Sequence, residues 1–185
     1  MPLLVRRINR AKWDQIVGAP VSINGISKVC NWIKNLFVKE TDVSADAITN
    51  CLKTFNNDLS VWHIETDADL EKAILALITG SSQTKLSTLH VVVIEEETAL
   101  KKGIQLANTP GDTVAKELIS NHKDLTNLTY TKLGIVKDLI VDCIKTNKTT
   151  LYTRKQLKDI IKKAIKDGKV NKLDLHQDLV ATEKL

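Results

Sequence analysis

The sequence lacks the short glycine-rich motifs by which many nucleotide-binding proteins and hydrolases are recognised. It contains no GxGxxG, no GxxxxGK followed by Ser or Thr, and no GxSxG, and only seven glycines occur among its 185 residues. Phosphate-binding loops and nucleophile elbows need glycine where the backbone turns sharply or approaches a ligand. We therefore predict neither a catalytic residue nor a cofactor site of a known type.

Cysteine and histidine are also sparse and scattered. Cys30, Cys51 and Cys143 form no CxxC pair, and the four histidines form no HxH or HExxH pattern. An odd number of distant cysteines argues against a disulfide framework, and the missing Cys/His clusters argue against a zinc site. We predict no metal site, and we expect the cysteines to be small buried hydrophobes in a reducing compartment.

Long apolar runs are absent as well. No stretch approaches the roughly 18 apolar residues that span a bilayer, and Arg6 and Arg7 interrupt the first apolar positions too early for a signal peptide. With 43% apolar and 26% charged residues, the composition is that of a globular protein with a packed core. The expected location is the cytoplasm, with no membrane association.

Three segments have the composition of β-strands: LLVRRI at the start, LSVWHIE at 59–65 and LHVVVIE at 89–95. Between the last two, DADLEKAILALITG has Asp67 placed as a helix cap and Gly80 just past the end. Strand, helix and strand in this order predict a parallel βαβ unit. The expected fold is therefore α/β or α+β, with a small sheet of about three strands.

Further helices are predicted from apolar spacing. SADAITNCLKTF precedes the second strand, YTKLGIVKDLIVDCIKT is apolar on more than one face, and TRKQLKDIIKKAIKDG runs from a Thr153 cap to Gly168. ISKVCNWIKNLF has helical spacing, but the loop-like segment before it leaves 19–40 unassigned. We expect a single domain over 1–185, with an α/β core at 1–100 and a helical C-terminal subdomain at 101–185.

Charge is unevenly distributed along the chain. From Glu40 to Glu71 there are eight acidic residues against one lysine, whereas from Lys145 to Lys172 there are ten basic residues against two aspartates. The expected consequence is an acidic side and a basic side. Such a surface favours docking to a partner of complementary charge.

The leading functional hypothesis is a non-enzymatic accessory, inhibitor or immunity/antitoxin-like protein that binds a larger protein partner in a bacterial-type cytosol. The candidate contact residues are Trp13, Asp67, Asp69 and the lysines Lys155, Lys158, Lys162, Lys163 and Lys166. The main alternative is an accessory protein that binds nucleic acid through the basic segment 145–172. A third hypothesis is an enzyme of unrecognised type, which requires separate histidines such as His63, His90 and His122 to converge.

The stretch NTPGDTVAKELISNHKDL (108–125) allows two interpretations. Asp112, Thr113 and His122 supply an acid, a hydroxyl and an imidazole, the groups of acid-base chemistry. In one helix, however, ten residues separate the ends by about 15 Å, so Asp112 and His122 meet only if the chain doubles back. We favour a Pro-Gly turn followed by a capped helix and a polar exit at His122 and Asp124.

Overall fold

The computed structural model describes residues 1–13, 43 and 45–185 of the chain. These residues belong to two compact units. Met1–Ile8 and Thr54–Leu185 form the larger unit, and Asn9–Lys53 form the smaller one. The unassigned helical pattern at 26–37, together with Cys30, lies outside the described residues.

The larger unit is built on one antiparallel sheet, which makes the fold α+β. Its six strands run in the order β4-β5-β2-β1-β3-β6. The strands are β1 (Leu3–Ile8), β2 (Leu59–Ile64), β3 (Leu89–Glu95), β4 (Gln105–Asn108), β5 (His122–Thr126) and β6 (Thr149–Tyr152).

The predicted parallel βαβ unit is wrong, although the three predicted strands form. Leu3 pairs with Ile64 of β2 on one side and with Glu95 of β3 on the other, and both pairings are antiparallel. β2 and β3 therefore point the same way but are separated by β1. The prediction was wrong because an apolar pattern identifies a strand but does not show which strands lie next to it in the sheet.

The predicted sheet size is also wrong, because three further strands lie after residue 100. β4, β5 and β6 have the sequences QLAN, HKDLT and TTLY. They are four or five residues long and carry few large apolar side chains, so the alternation that marks a half-buried strand is hardly visible. The C-terminal half is therefore not purely helical: it completes both edges of the described sheet.

The described residues also contain seven α-helices and three short 3₁₀ turns. The helices are α1 (Arg10–Trp13), α2 (Ala45–Cys51), α3 (Leu70–Ile78), α4 (Glu96–Lys101), α5 (Tyr130–Lys145), α6 (Arg154–Lys166) and α7 (Gln177–Glu183). The 3₁₀ turns are Asp67–Asp69, Lys116–Asn121 and Lys172–Asp174. None of the helices in 1–13 and 45–185 is both long enough and apolar enough to cross a membrane.

Side chains alternate between the two faces of the sheet, and helices lie on both faces. On one face Val5, Trp62 and Val91 join a buried cluster with α3 and α6. On the other face α5 packs against β3, where the Cys143 thiol donates to the Val93 carbonyl at 3.2 Å. Trp62 is 5% exposed and belongs to the core.

In the smaller unit, α1 and α2 are joined by polar contacts. Lys12 Nζ lies 2.5 Å from Asp46 Oδ2, and the Asn9 backbone N–H donates to Cys51 Sγ at 3.1 Å. Trp13 is fully buried, and its indole nitrogen has no hydrogen-bond partner among the described residues. Trp13 is therefore not presented on the surface as an aromatic contact residue.

Candidate interaction surface

α6 forms because its ends are specified locally. Thr153 Oγ1 accepts the Gln156 backbone N–H, and Gln156 Oε1 accepts the Thr153 N–H, so a complete capping box begins the helix. At the other end Gly168 adopts a φ of 72°, and the Lys169 N–H donates back to the Ala164 carbonyl at 2.9 Å. The predicted helix, its cap and its stop are confirmed.

The inner face of α6 is fixed against the body of the protein. Leu157, Ile161 and Ala164 are 1%, 0% and 4% exposed, and they belong to the cluster that includes α3. Burial of a side chain the size of leucine contributes about 1.5–3 kcal/mol. The helix therefore presents its opposite face in a defined orientation.

A buried carboxylate ties the first turn of α6 to α7. Glu183 is 2% exposed and accepts Arg154 Nε at 2.9 and 3.1 Å and the Leu86 backbone N–H at 3.0 Å. Burial alone raises the pKa of Glu183, but the bonds from Arg154 and Leu86 outweigh it, so the pKa is below its ordinary value. The carboxylate is thus held in its charged form.

The outer face of α6 carries a row of lysines, which we call the lysine stripe: Lys155, Lys162 and Lys166. All three are exposed, and none forms an ion pair with a carboxylate of the described residues. Their spacing of seven and four residues places them on one side of the helix over about 16 Å. Asp159 interrupts the row on the same side.

The other two candidate lysines have different surroundings. Lys163 Nζ lies 3.2 Å from Glu71 Oε1 on α3, so its charge is compensated. Lys158 is half-buried and close enough to Glu183 for its charge to help lower the pKa of that carboxyl group. The structure therefore brings all five predicted lysines to one helix but leaves three of them, the lysine stripe, without a partner among the described residues.

The candidate acidic residues Asp67 and Asp69 lie in the 3₁₀ turn that leads into α3. Asp69 contacts Lys72 Nζ at 2.7 Å, and that hydrogen bond lowers the pKa of Asp69. Asp67 lines a separate cavity of about 580 Å³ with the ion pair of Glu95 and Lys148. α3 packs directly on α6, and there Glu71 of the acidic segment meets Lys163 of the basic segment.

The segment 108–125 folds in a way that neither interpretation anticipated. Instead of a capped helix it forms a loop, the 3₁₀ turn Lys116–Asn121 and strand β5. Asp112 accepts Ser81 Oγ at 3.0 Å, whereas Thr113 Oγ1 lies 2.7 Å from Thr79 Oγ1. Asp112 is therefore hydrogen-bonded to Ser81 and not to His122.

His122 and Asp124 do meet, through a residue that sequence reasoning missed. Thr109 Oγ1 lies 2.8 Å from both His122 Nδ1 and Asp124 Oδ2. An ionised carboxylate only accepts hydrogen bonds, so the hydroxyl donates to Asp124 and accepts from His122 Nδ1. The imidazole is then a donor to Thr109 and does not act as the base that would activate its hydroxyl.

Packing gives this polar trio a structural role. The rings of Trp62 and His122 meet edge to face with centroids 5.1 Å apart. A Cβ added at Gly111 would lie 2.4 Å from the Trp62 ring and 2.8 Å from His122 Cβ. Only glycine fits there, because the loop passes directly over the two rings. The trio fastens the loop to β5.

The three histidines of the enzyme hypothesis do not converge. His63 and His90 pair with Leu4 and Ile8 of β1, four residues and so about 13 Å apart along the strand. His122 pairs with Trp62, next to His63 in β2, and therefore points to the opposite face. The enzyme hypothesis required these three histidines to converge, and in the structure they do not.

His63 takes part in a separate half-buried charge cluster. Glu96 Oε2 lies 2.9 Å from Lys123 Nζ and 3.4 Å from His63 Nε2. A carboxylate between two nitrogen donors is well satisfied, so we assign this cluster to fastening α4 to the sheet.

Metal and thiol chemistry find no support in the described part of the chain. No group of three metal-ligating side chains occurs there. Cys51 and Cys143 are buried, as predicted, and burial raises the pKa of the Cys143 thiol to about 11. Cys143 therefore stays protonated and unreactive at neutral pH.

Comparison with protein-family models, with curated proteins and with solved structures gave no significant match.

Proposed function

We propose that this protein is a non-enzymatic binding protein of the cytoplasm, in which the lysine stripe docks to an acidic surface of a larger protein partner. The role is that of an accessory, inhibitor or immunity/antitoxin-like subunit. The observation that carries the proposal is that Lys155, Lys162 and Lys166 are exposed and unpaired within the described residues, whereas the acidic residues Asp69 and Glu71 on the neighbouring elements are paired.

A partner interacts mainly with those charges that are not already paired within the protein. An acidic residue already bonded to a lysine contributes little field at a distance, whereas a fixed row of lysines steers an acidic partner and sets its register. The capping box, the buried inner face and Glu183 fix the helix. The stripe is therefore organised before a partner arrives.

Asp159 favours a protein partner over nucleic acid. It lies between Lys155 and Lys162 on the exposed side of α6, where it repels a continuous phosphate backbone. A protein surface can offer a lysine or an arginine to Asp159 and carboxylates to the lysines, which gives a mixed pattern and greater selectivity.

The test is charge reversal with a matched control. The variant K155E/K162E/K166E is compared with K85E/K102E/K116E, which changes three other exposed lysines without carboxylate partners in the described residues by the same total charge. We expect the first variant to lose a stoichiometric partner captured from its native cell extract, and the control to retain it. Equal retention by both variants would contradict the proposal.

Nucleic-acid binding is the second candidate, because the same unpaired lysines could neutralise phosphates. It predicts that affinity falls steeply with salt, and that each stripe lysine removed lowers the salt slope by about 1 on a logarithmic scale. A titration of single- and double-stranded oligonucleotides against salt measures this directly. Absence of salt-dependent binding rules this candidate out.

A further inference from the structure

A small pocket opens between α3 and α6, beside the lysine stripe. Its volume is about 150 Å³, and its apolar lining includes Leu75, Leu118, Ile160 and Ala164. A cavity of about 150 Å³ is large enough to hold benzene in an engineered protein, where the walls are wholly apolar. The pocket therefore has room for one apolar side chain the size of leucine or phenylalanine.

The rim of the pocket is balanced in charge. Three lysines and three acidic residues line it: Lys72, Lys163, Lys169, Glu71, Glu117 and Asp167. A balanced rim neither attracts nor repels a charged side chain strongly. The pocket thus selects for apolar character, while the stripe selects for negative charge.

Lys163 lies between the pocket and the lysine stripe on the surface of α6. It lines the pocket together with Ile160, three residues away on the flank that faces α3, and its direction around the helix falls between those of Ile160 and Lys162. The Lys163 and Glu71 side chains are 64% and 48% exposed, so their pairing is weak. A partner carboxylate can take the place of Glu71 at small cost.

We infer that the partner presents an acidic segment with one apolar anchor, so that its carboxylates contact the lysine stripe while a leucine- or phenylalanine-sized side chain fills the pocket. The inference rests on the proposed function and adds the chemistry of the partner. Buried apolar anchors surrounded by polar contacts supply most of the energy of such interfaces, and charges add register.

The experiment uses defined probes, because it does not require the natural partner. Two fluorescent peptides of glutamate and alanine are compared, one with a single central leucine and one with serine at that position. Fluorescence anisotropy at low salt measures binding to the full chain. We expect the leucine peptide to bind on the order of tenfold more tightly, because a buried leucine contributes about that much.

Two matched variants locate the effect. Ala68 is exposed and lines the pocket, so A68L covers the opening without disturbing the core. A181L makes the same change at an exposed position of α7. We expect A68L to reduce the affinity of the leucine peptide to that of the serine peptide at unchanged salt dependence, and A181L to have no effect.

The outcomes separate this inference from the function on which it rests. Equal binding of the two peptides, or no effect of A68L, would show that no apolar anchor fills the pocket. Docking through the lysine stripe would still be supported if K155E/K162E/K166E loses the natural partner. If reversal of the stripe leaves partner capture unchanged, docking itself is wrong. If oligonucleotides bind, and this binding is lost in K155E/K162E/K166E but unchanged in A68L, the apolar anchor is wrong and the ligand is nucleic acid.

Discussion

Helices α3 and α6 pack side by side on the same face of the sheet, yet the charged side chains near α3 are paired, whereas several on α6 are not paired within the described part of the chain. Near α3, Lys72 pairs with Asp69, and Glu71 pairs with Lys163 across the helix contact. On α6, Lys155 and Lys162 face solvent without a carboxylate partner in the described residues. An excess of charge in a sequence is therefore available to a partner only where the fold leaves it unpaired.

The largest expected effect distinguishes the two faces of α6. Ile161 is fully buried, so I161A should lower the free energy of unfolding by about 2–5 kcal/mol. The neighbouring outer-face substitution K162A should change it by less than about 0.5 kcal/mol. Urea denaturation measures both, and similar effects of the two would mean that α6 is not held by its inner face.

The second effect concerns the link between α6 and α7. E183A leaves the buried Leu86 N–H without an acceptor, which costs about 1–3 kcal/mol. Arg154 adds little to this loss, because its side chain is 55% exposed. E183Q should cost less than E183A, because an amide oxygen still accepts that N–H.

The same link predicts a pH dependence. The pKa of Glu183 is lowered in the folded state, so its stabilisation is complete above the ordinary glutamate value of about 4.3 and is lost as the pH falls through the folded value. Thermal unfolding from neutral to acidic pH should show a shallower loss of stability for E183Q than for the wild type. Parallel curves would contradict this assignment.

A smaller effect is expected at the start of α6. T153A removes the acceptor for the Gln156 N–H and should cost about 1 kcal/mol, whereas T153S keeps the hydroxyl and most of the stability. Circular dichroism with denaturant titration compares the two. If T153S were as unstable as T153A, the methyl group and not the cap would matter.

The smallest effect tests the comparison of α3 and α6 directly. Lys163 and Glu71 are both well exposed, so a double-mutant cycle with K163A and E71A should give a coupling of about 0–1 kcal/mol. A coupling well above this range would mean that the pair holds the helices together and is not available to a partner.

Sequence reasoning located α6 and its lysines because the signals are local. The Thr153 cap, the apolar spacing of Leu157 and Ile161, and Gly168 all lie within one segment. Pairing of lysines is not local: Lys163 meets Glu71 only because α3 packs on α6. Sequence reasoning could therefore identify the candidate surface but not which of its lysines are unpaired.

Strand β5 and the histidine contact illustrate the opposite case. β5 is half-polar by composition and becomes a strand because β2 and β4 pair with both its sides. The contact of Thr109 with His122 and Asp124 likewise depends on the loop crossing β5. Neither feature has a periodic signal, so the sequence pattern predicts a helix end where the strand β5 forms.

The central position of β1 has a consequence for how the chain is made. This strand is synthesised well before its two neighbours in the sheet, which pair with it at Ile64 and Glu95. Until residue 95 has been synthesised, LLVRRI has at least one unpaired edge, and pairings between such distant segments form slowly. The time for which β1 is exposed to aggregation during synthesis is thus set by its most distant partner, β3.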